Sequence, residues 1–151
     1  MSIPIAGPGN GLVFATTSYR MVSTEAASYG DCFVVDLSSV DSSTGFFNTM
    51  SSTEAASGDG DAEYALVGLC MESGGIAAGG EGMWMFRGNF ANAVTSDTVA
   101  VGDFLAHDDV TDDLTTSTGA GDKVVAFALT ASSGGVIDVI FDGLNGFGTK
   151  Q

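Results

Sequence analysis

What most constrains this chain is the length of its apolar runs. None repeats apolar residues at i, i+3, i+4 and i+7 over three turns, so no amphipathic helix is indicated. The runs are short, rich in Val, Phe, Ile and Leu, and bounded by Gly, Ser, Asp or Asn. "TSYRMVS" (17–23), "DCFVVDL" (31–37), "YALVGLCM" (64–71), "GMWMFRGNF" (82–90), "GDFLAH" (102–107), "KVVAFALTA" (123–131) and "GVIDVIFDG" (135–143) each fit one strand. The 22 glycines against two prolines supply tight turns between them. "STEAAS", at 23–28 and again at 52–57, offers at most one helical turn each time. The expectation is an all-β chain of about seven strands.

A length of 151 residues suits one domain, and one of this size buries roughly two-thirds of its unfolded surface without needing a metal or disulfide. The strands also repeat. "YGDCFVVD" (29–36) and "VGDFLAHD" (101–108) share Gly-Asp before an apolar run that ends in Asp. Downstream, "YALVGLCMESGGIAAGGEGMWMFRGNF" follows the pattern of "KVVAFALTASSGGVIDVIFDGLNGF". The division read from this is an arm at 1–16 and a single β domain at 17–151. Within the domain, two related half-units, about 29–98 and 99–143, would pack as one β-sandwich or β-barrel.

Charge and cysteine usage exclude several functions. Four Lys and Arg against nineteen Asp and Glu give a net charge of −15. Nucleic-acid affinity comes largely from cations neutralising phosphates, so no nucleic-acid partner is expected, nor an anionic membrane surface. With 44% hydrophobic residues the chain is still no disordered acidic polymer. The start, "MSIPIAGPGNGLVF", lacks the basic and long apolar regions of a secretory signal, and no run reaches the ~18 residues of a membrane span. A soluble protein made in a cytoplasm is expected. Cys32 and Cys70 both lie in apolar runs, where they read as small buried hydrophobes or as one disulfide.

One stretch, "FLAHDDVTDDL" (104–114), concentrates chemistry: the single histidine, His107, with Asp108, Asp109, Asp112 and Asp113. As a cation site it would offer oxygen ligands for Ca²⁺, but the spacing departs from the EF-hand loop and no Glu closes it. As a solvated hairpin loop it needs no cation, because two carboxylates ~6 Å apart in water repel by only about 0.7 kcal/mol. No G-x-S-x-G elbow or P-loop is present, and "GDGDAE" (58–63) is acidic with no lysine after it. Trp84, Phe86 and Phe90 read as core. No catalytic residue, metal site or cofactor is assigned, and the chain is not expected to be an enzyme.

The segment "VAVGDFLAHDD…STGAGDKVVAFALTASSGGVIDVIFDG" (99–143) resembles the C-terminal part of tailed-bacteriophage head decoration, or cement, proteins. "ALVGLCMES…GEGMWMFRG" is similar to the strand pair that precedes it there, so the resemblance covers roughly residues 64–143. Residues 24–63, Ser-rich and acidic, have no match in that pattern. The resemblance implies a β-barrel or β-sandwich body, β-tulip-like, commonly a homotrimer. It would sit on the outer capsid surface of the virion, where it clamps major-capsid-protein subunits. The candidate clamp is the arm, with Ile3, Pro4, Ile5, Leu12, Val13 and Phe14. An extended arm can add a strand to a capsid subunit's sheet edge, and three arms per trimer would multiply modest affinities. The same segment also reads as a first strand of the body or an ordinary chain end. Competing functions are a tail or head-fibre module, and a surface β-module binding calcium or glycan.

Overall fold

The computed structural model describes residues 16–50, 66–108, 111–116 and 123–148. Among the described residues there is no helix, and nine strands follow one another. They are β1 (Thr17–Ser23), β2 (Cys32–Val40), β3 (Phe47–Met50), β4 (Val67–Cys70), β5 (Glu81–Val94), β6 (Phe104–His107), β7 (Leu114–Thr116), β8 (Ala126–Ala128) and β9 (Val136–Asp142). They join in the order β1-β3-β2-β4-β5-β9-β8-β6-β7, and β1 pairs back onto β5. That last pairing closes β1, β3, β2, β4 and β5 into a five-stranded barrel. The remaining four strands grow as a sheet from the far half of β5. The body is all-β with a barrel at its centre, as expected.

Strand β5 makes this architecture by changing partners along its fourteen residues. Its first half, Glu81 to Arg87, pairs with β1, and its second half, Arg87 to Val94, pairs with β9. Gly88 stands at the switch with φ 141°, and a Cβ there would meet Thr16 at 3.0–3.3 Å. The shared wall of β2, β4 and β5 therefore has core on both sides. Phe33, Val35, Cys70, Trp84 and Phe86 fill the barrel with Met21, and the Phe33 and Trp84 rings stack at 5.2 Å. Cys32, Val34, Val67, Leu69 and Met85 face the other way, onto Leu105, Val125, Ala126, Ile137, Val139 and Phe141. A strand buried on both faces reads as an unbroken apolar run rather than an alternating one, which is the form of "FVV" and "LVGLC". The two cysteines are free and belong to opposite faces of this wall, so the disulfide reading is ruled out.

Two meanders are built to one register. Cys32 faces Leu69 and Phe33 faces Gly68; Phe104 faces Phe127 and Leu105 faces Ala126. One strand further, Leu69–Met85 and Cys70–Trp84 have the same offset as Phe127–Ile140 and Ala128–Val139. The turns that lead in match as well. Gly30 N–H donates to Cys70 O at 3.0 Å and Gly102 N–H to Ala128 O at 2.9 Å. The Asp31 carboxylate accepts from Ser28 N–H at 2.7 Å, and Asp103 accepts from Ala100 N–H at 2.9 Å. The shared offset makes Arg87 and Asp142 equivalent positions, and they face each other with Nη2 and Oδ2 3.0 Å apart.

Both turn glycines need positive φ, 87° at Gly30 and 91° at Gly102, but their surroundings differ. A Cβ on Gly30 would lie 2.6 Å from the Asn92 carbonyl oxygen, whereas nothing stands within 4 Å of one on Gly102. Gly102→Ala is expected to cost about 1 kcal/mol, the left-handed backbone penalty alone. Gly30→Ala adds a clash with fixed backbone and is expected to cost about 3 kcal/mol in denaturant unfolding.

Strands β3 and β7 depart from the sequence expectation. Residues 115–122 read as a polar turn, yet Thr115 and Thr116 continue the sheet as β7, while 117–122 lie outside the described residues. Among their described side chains each of these strands has one fully buried residue, Thr49 and Leu114, too little to leave a hydrophobic pattern. Side-chain anchors compensate. The Asp97 carboxylate accepts from Thr115 Oγ1 at 2.6 Å, Thr116 N–H at 2.7 Å and Thr116 Oγ1 at 2.9 Å. These bonds, the Thr115 hydroxyl foremost, hold its pKa below the ordinary carboxylate value. Because the folded pKa is depressed, the contribution is whole above the unfolded pKa and lost as pH falls through the folded one. Asp97→Ala is expected to cost about 1 kcal/mol at neutral pH after solvent screening. The gap to wild type should close as melting curves are carried down through and below the ordinary carboxylate range.

Candidate interaction site

The barrel mouth is a concave feature of the described fold. Strands β1 and β3 run parallel, but only Val22–Asn48 and Ser23–Thr49 are in register. Before those pairs the two strands part. The gap opens into a cavity of about 520 Å³, lined by Tyr19, Met21, Val35, Leu37, Phe47, Phe86 and their neighbours. Tyr19 packs on Phe86 with ring centroids 5.7 Å apart. Around the rim, Leu37 is 60% exposed, Tyr19 53% and Phe47 41%. Lone exposed apolar residues are ordinary, but a cluster around a cavity marks a contact surface.

The electrostatics of the mouth are unlike the rest of the chain. Among the described residues no carboxylate lines it, although the chain carries nineteen, and Arg20 is the one charged lining residue among them. The other described cations are engaged. Arg87 pairs with Asp142, and Lys123 Nζ donates to Leu144 O at 3.2 Å. Among the described residues Arg20 has no ion-pair partner. On the far lip, the β2–β3 turn is held rigid by Asp41, whose carboxylate accepts from the Ser43 and Thr44 amides and hydroxyls. Those bonds lower its pKa to about 2.

The stretch around His107 is organised differently from a solvated loop. His107 follows Leu105 on the inward face, and its side chain is 3% exposed. Among the described residues neither ring nitrogen has a hydrogen-bond partner; Nε2 lies 3.9 Å from Asp112 Oδ1. Asp113 is buried and accepts from Thr111 Oγ1 at 2.6 Å, while Cys32 N–H donates to the Asp112 carbonyl at 2.9 Å. Leu105 and Leu114 draw both ends of the loop into the core, and the Cys32 amide ties it to β2. Burial pushes the Asp31 carboxyl up, with the charges of Asp112 and Asp113 adding to it against the Ser28 amide. Among the described residues no three His, Cys, Asp or Glu side chains are grouped to hold a metal ion. Asp109 lies outside the described residues.

The arm residues Ile3, Pro4, Ile5, Leu12, Val13 and Phe14 also lie outside the described residues. The chain emerges from them at Thr16, at the mouth end of the barrel, where β1 begins. The mouth itself escaped the sequence reading. Leu37 and Phe47 sit in Ser- and Gly-rich surroundings with no clear period, and their convergence depends on β1 and β3 meeting across 25 residues of chain. The one available signal was "GFF" at 45–47, an aromatic pair in an otherwise polar stretch.

Barrel and extension together define a class: an all-β module with a closed five-stranded barrel, a sheet sharing one barrel strand, and an apolar mouth. No protein-family model matches the chain, and no curated protein matches it. Among solved structures it is similar to the head fiber gp8.5 N base in bacteriophage phi29, with a TM-score of 0.57 and 9% sequence identity. The match covers 85% of this chain and 96% of that one. The likeness is one of fold.

Proposed function

We propose that this protein is a non-enzymatic structural module of a bacteriophage virion, attached to the outside of the head, where it stabilises the shell as a decoration protein. The observation that carries the reading is the fold match over nearly the whole of a phage head-fibre base. The resemblance of residues 64–143 to decoration proteins points the same way. A net charge of −15 would keep free copies soluble and apart before assembly, leaving apolar surface to make the contact. In this reading the major capsid protein is the partner, copies associate as a trimer, and the N-terminal arm makes the clamp.

The same fold match favours a second reading, in which the chain is the base of a head fibre. Quantitative mass spectrometry of purified particles separates the two. A simple stoichiometric ratio to the major head protein is the result expected of a decoration protein. A small substoichiometric number would assign the chain to a fibre, and absence from particles would end the virion reading.

A further inference from the structure

We propose that the barrel mouth accepts one extended polypeptide segment as an added strand along β1, and that Arg20 selects a segment carrying a carboxylate between apolar residues. The argument begins with the backbone. In β5, Met83 turns its carbonyl toward β4, where it accepts from Met71 N–H at 3.0 Å. Arg20 stands opposite Met83 in the β1–β5 ladder. In an antiparallel pair a residue directs its N–H and C=O to the same side, so Met83 and Arg20 form a non-hydrogen-bonded pair. The N–H and C=O of Arg20 therefore point away from β5. Met85, opposite Ser18, is likewise turned toward Leu69 of β4, so Ser18 points the same way as Arg20. Their side of β1 is the side of β3, and the β3 ladder stops at Val22. Thr17–Met21 thus present a strand edge over an apolar cavity, the arrangement that invites strand addition.

Side-chain directions specify the occupant. Successive residues of a strand alternate between faces. Tyr19 and Met21 point into the barrel, while Arg20 points outward and is exposed. A strand laid beside β1 would drop alternate side chains into the cavity and hold the one between them beside the Arg20 guanidinium. Opposite charges in adjacent strands attract, and among the described lining residues no carboxylate competes. The occupant is therefore an apolar segment with an Asp or Glu in its midst, supplied by another protein. This chain's own first fifteen residues contain no carboxylate to meet Arg20.

The test uses the full-length chain and does not depend on the virion reading. A random heptapeptide library displayed on filamentous phage is panned against it, and recovered sequences are measured as labelled synthetic peptides by fluorescence anisotropy. Expected are peptides with apolar residues flanking Asp or Glu. Their affinity should fall about tenfold in Arg20→Gln. Replacing the peptide's acid by its amide should remove that difference. Ser18→Pro deletes an edge N–H that β5 does not use, and Leu37→Asp places a charge on the exposed rim; each should weaken binding by a similar factor or more. Phe104→Ser, on the outer face of β6, should leave binding unchanged. The proposal is overturned if no peptide is enriched over the Leu37→Asp chain, or if enriched peptides bind Ser18→Pro and Arg20→Gln as they bind wild type.

Discussion

Gly143→Ala is expected to destabilise the protein by about 3 kcal/mol and lower its melting temperature by about 6–12 °C. Gly143 follows β9 and threads the junction of three strands. Its N–H donates to Phe86 O of β5 at 2.9 Å, and its carbonyl accepts from Val67 N–H of β4 at 3.2 Å. A Cβ at this position would run into the Val67 carbonyl oxygen and lie 2.9 Å from the Phe141 ring. Neither neighbour can yield, since one is backbone within a buried strand and the other a fully buried ring. Gly74→Ala is the matched control, because nothing stands within 4 Å of a Cβ there. Differential scanning calorimetry on the pair checks the argument. Equal melting temperatures would mean that the β4–β5–β9 junction is not close-packed around Gly143.

Deletion of residues 2–14 is expected to leave the melting temperature of the body within a few degrees of wild type and to abolish binding to purified heads. The body retains β1 whole, with Thr17 still paired to Arg87, so no core residue described above is removed. What is lost is the apolar, uncharged segment from which the linked copies of the proposed trimer would gain their avidity. Co-sedimentation of variant and wild type with heads measures the effect. Undiminished binding would transfer the clamp from the arm to the body. A body that no longer folds would show the arm to be a first strand of it.

Much of the fold was legible because its cause is local. An apolar run of five to nine residues closed by glycine can hardly be anything but a strand. Runs at 17–23 and 135–143 lie on β1 and β9 almost residue for residue. The inward alternation of Ile137, Val139 and Phe141 on β9 follows from a period of two. Strands β3 and β7 were hidden because pairing with neighbouring strands, and for β7 the Asp97 anchor, holds them, and neither carries a periodic apolar pattern. His107 shows the other direction of failure. Amid its aspartates it looks solvated, yet two leucines and one backbone amide from a distant strand bury it.

The sequence by itself determined the secondary-structure class, the position of most strands and the acidic balance of the chain, because backbone sterics, side-chain period and net charge act within a few residues or as a sum. Only the tertiary structure decided which strands meet. The closing of β1 onto β5, the parting of β1 from β3 and the mouth this leaves depend on pairings between residues up to about seventy positions apart. Such pairings are selected by the packing of both faces of one wall at once, and no stretch of the chain taken alone records that selection.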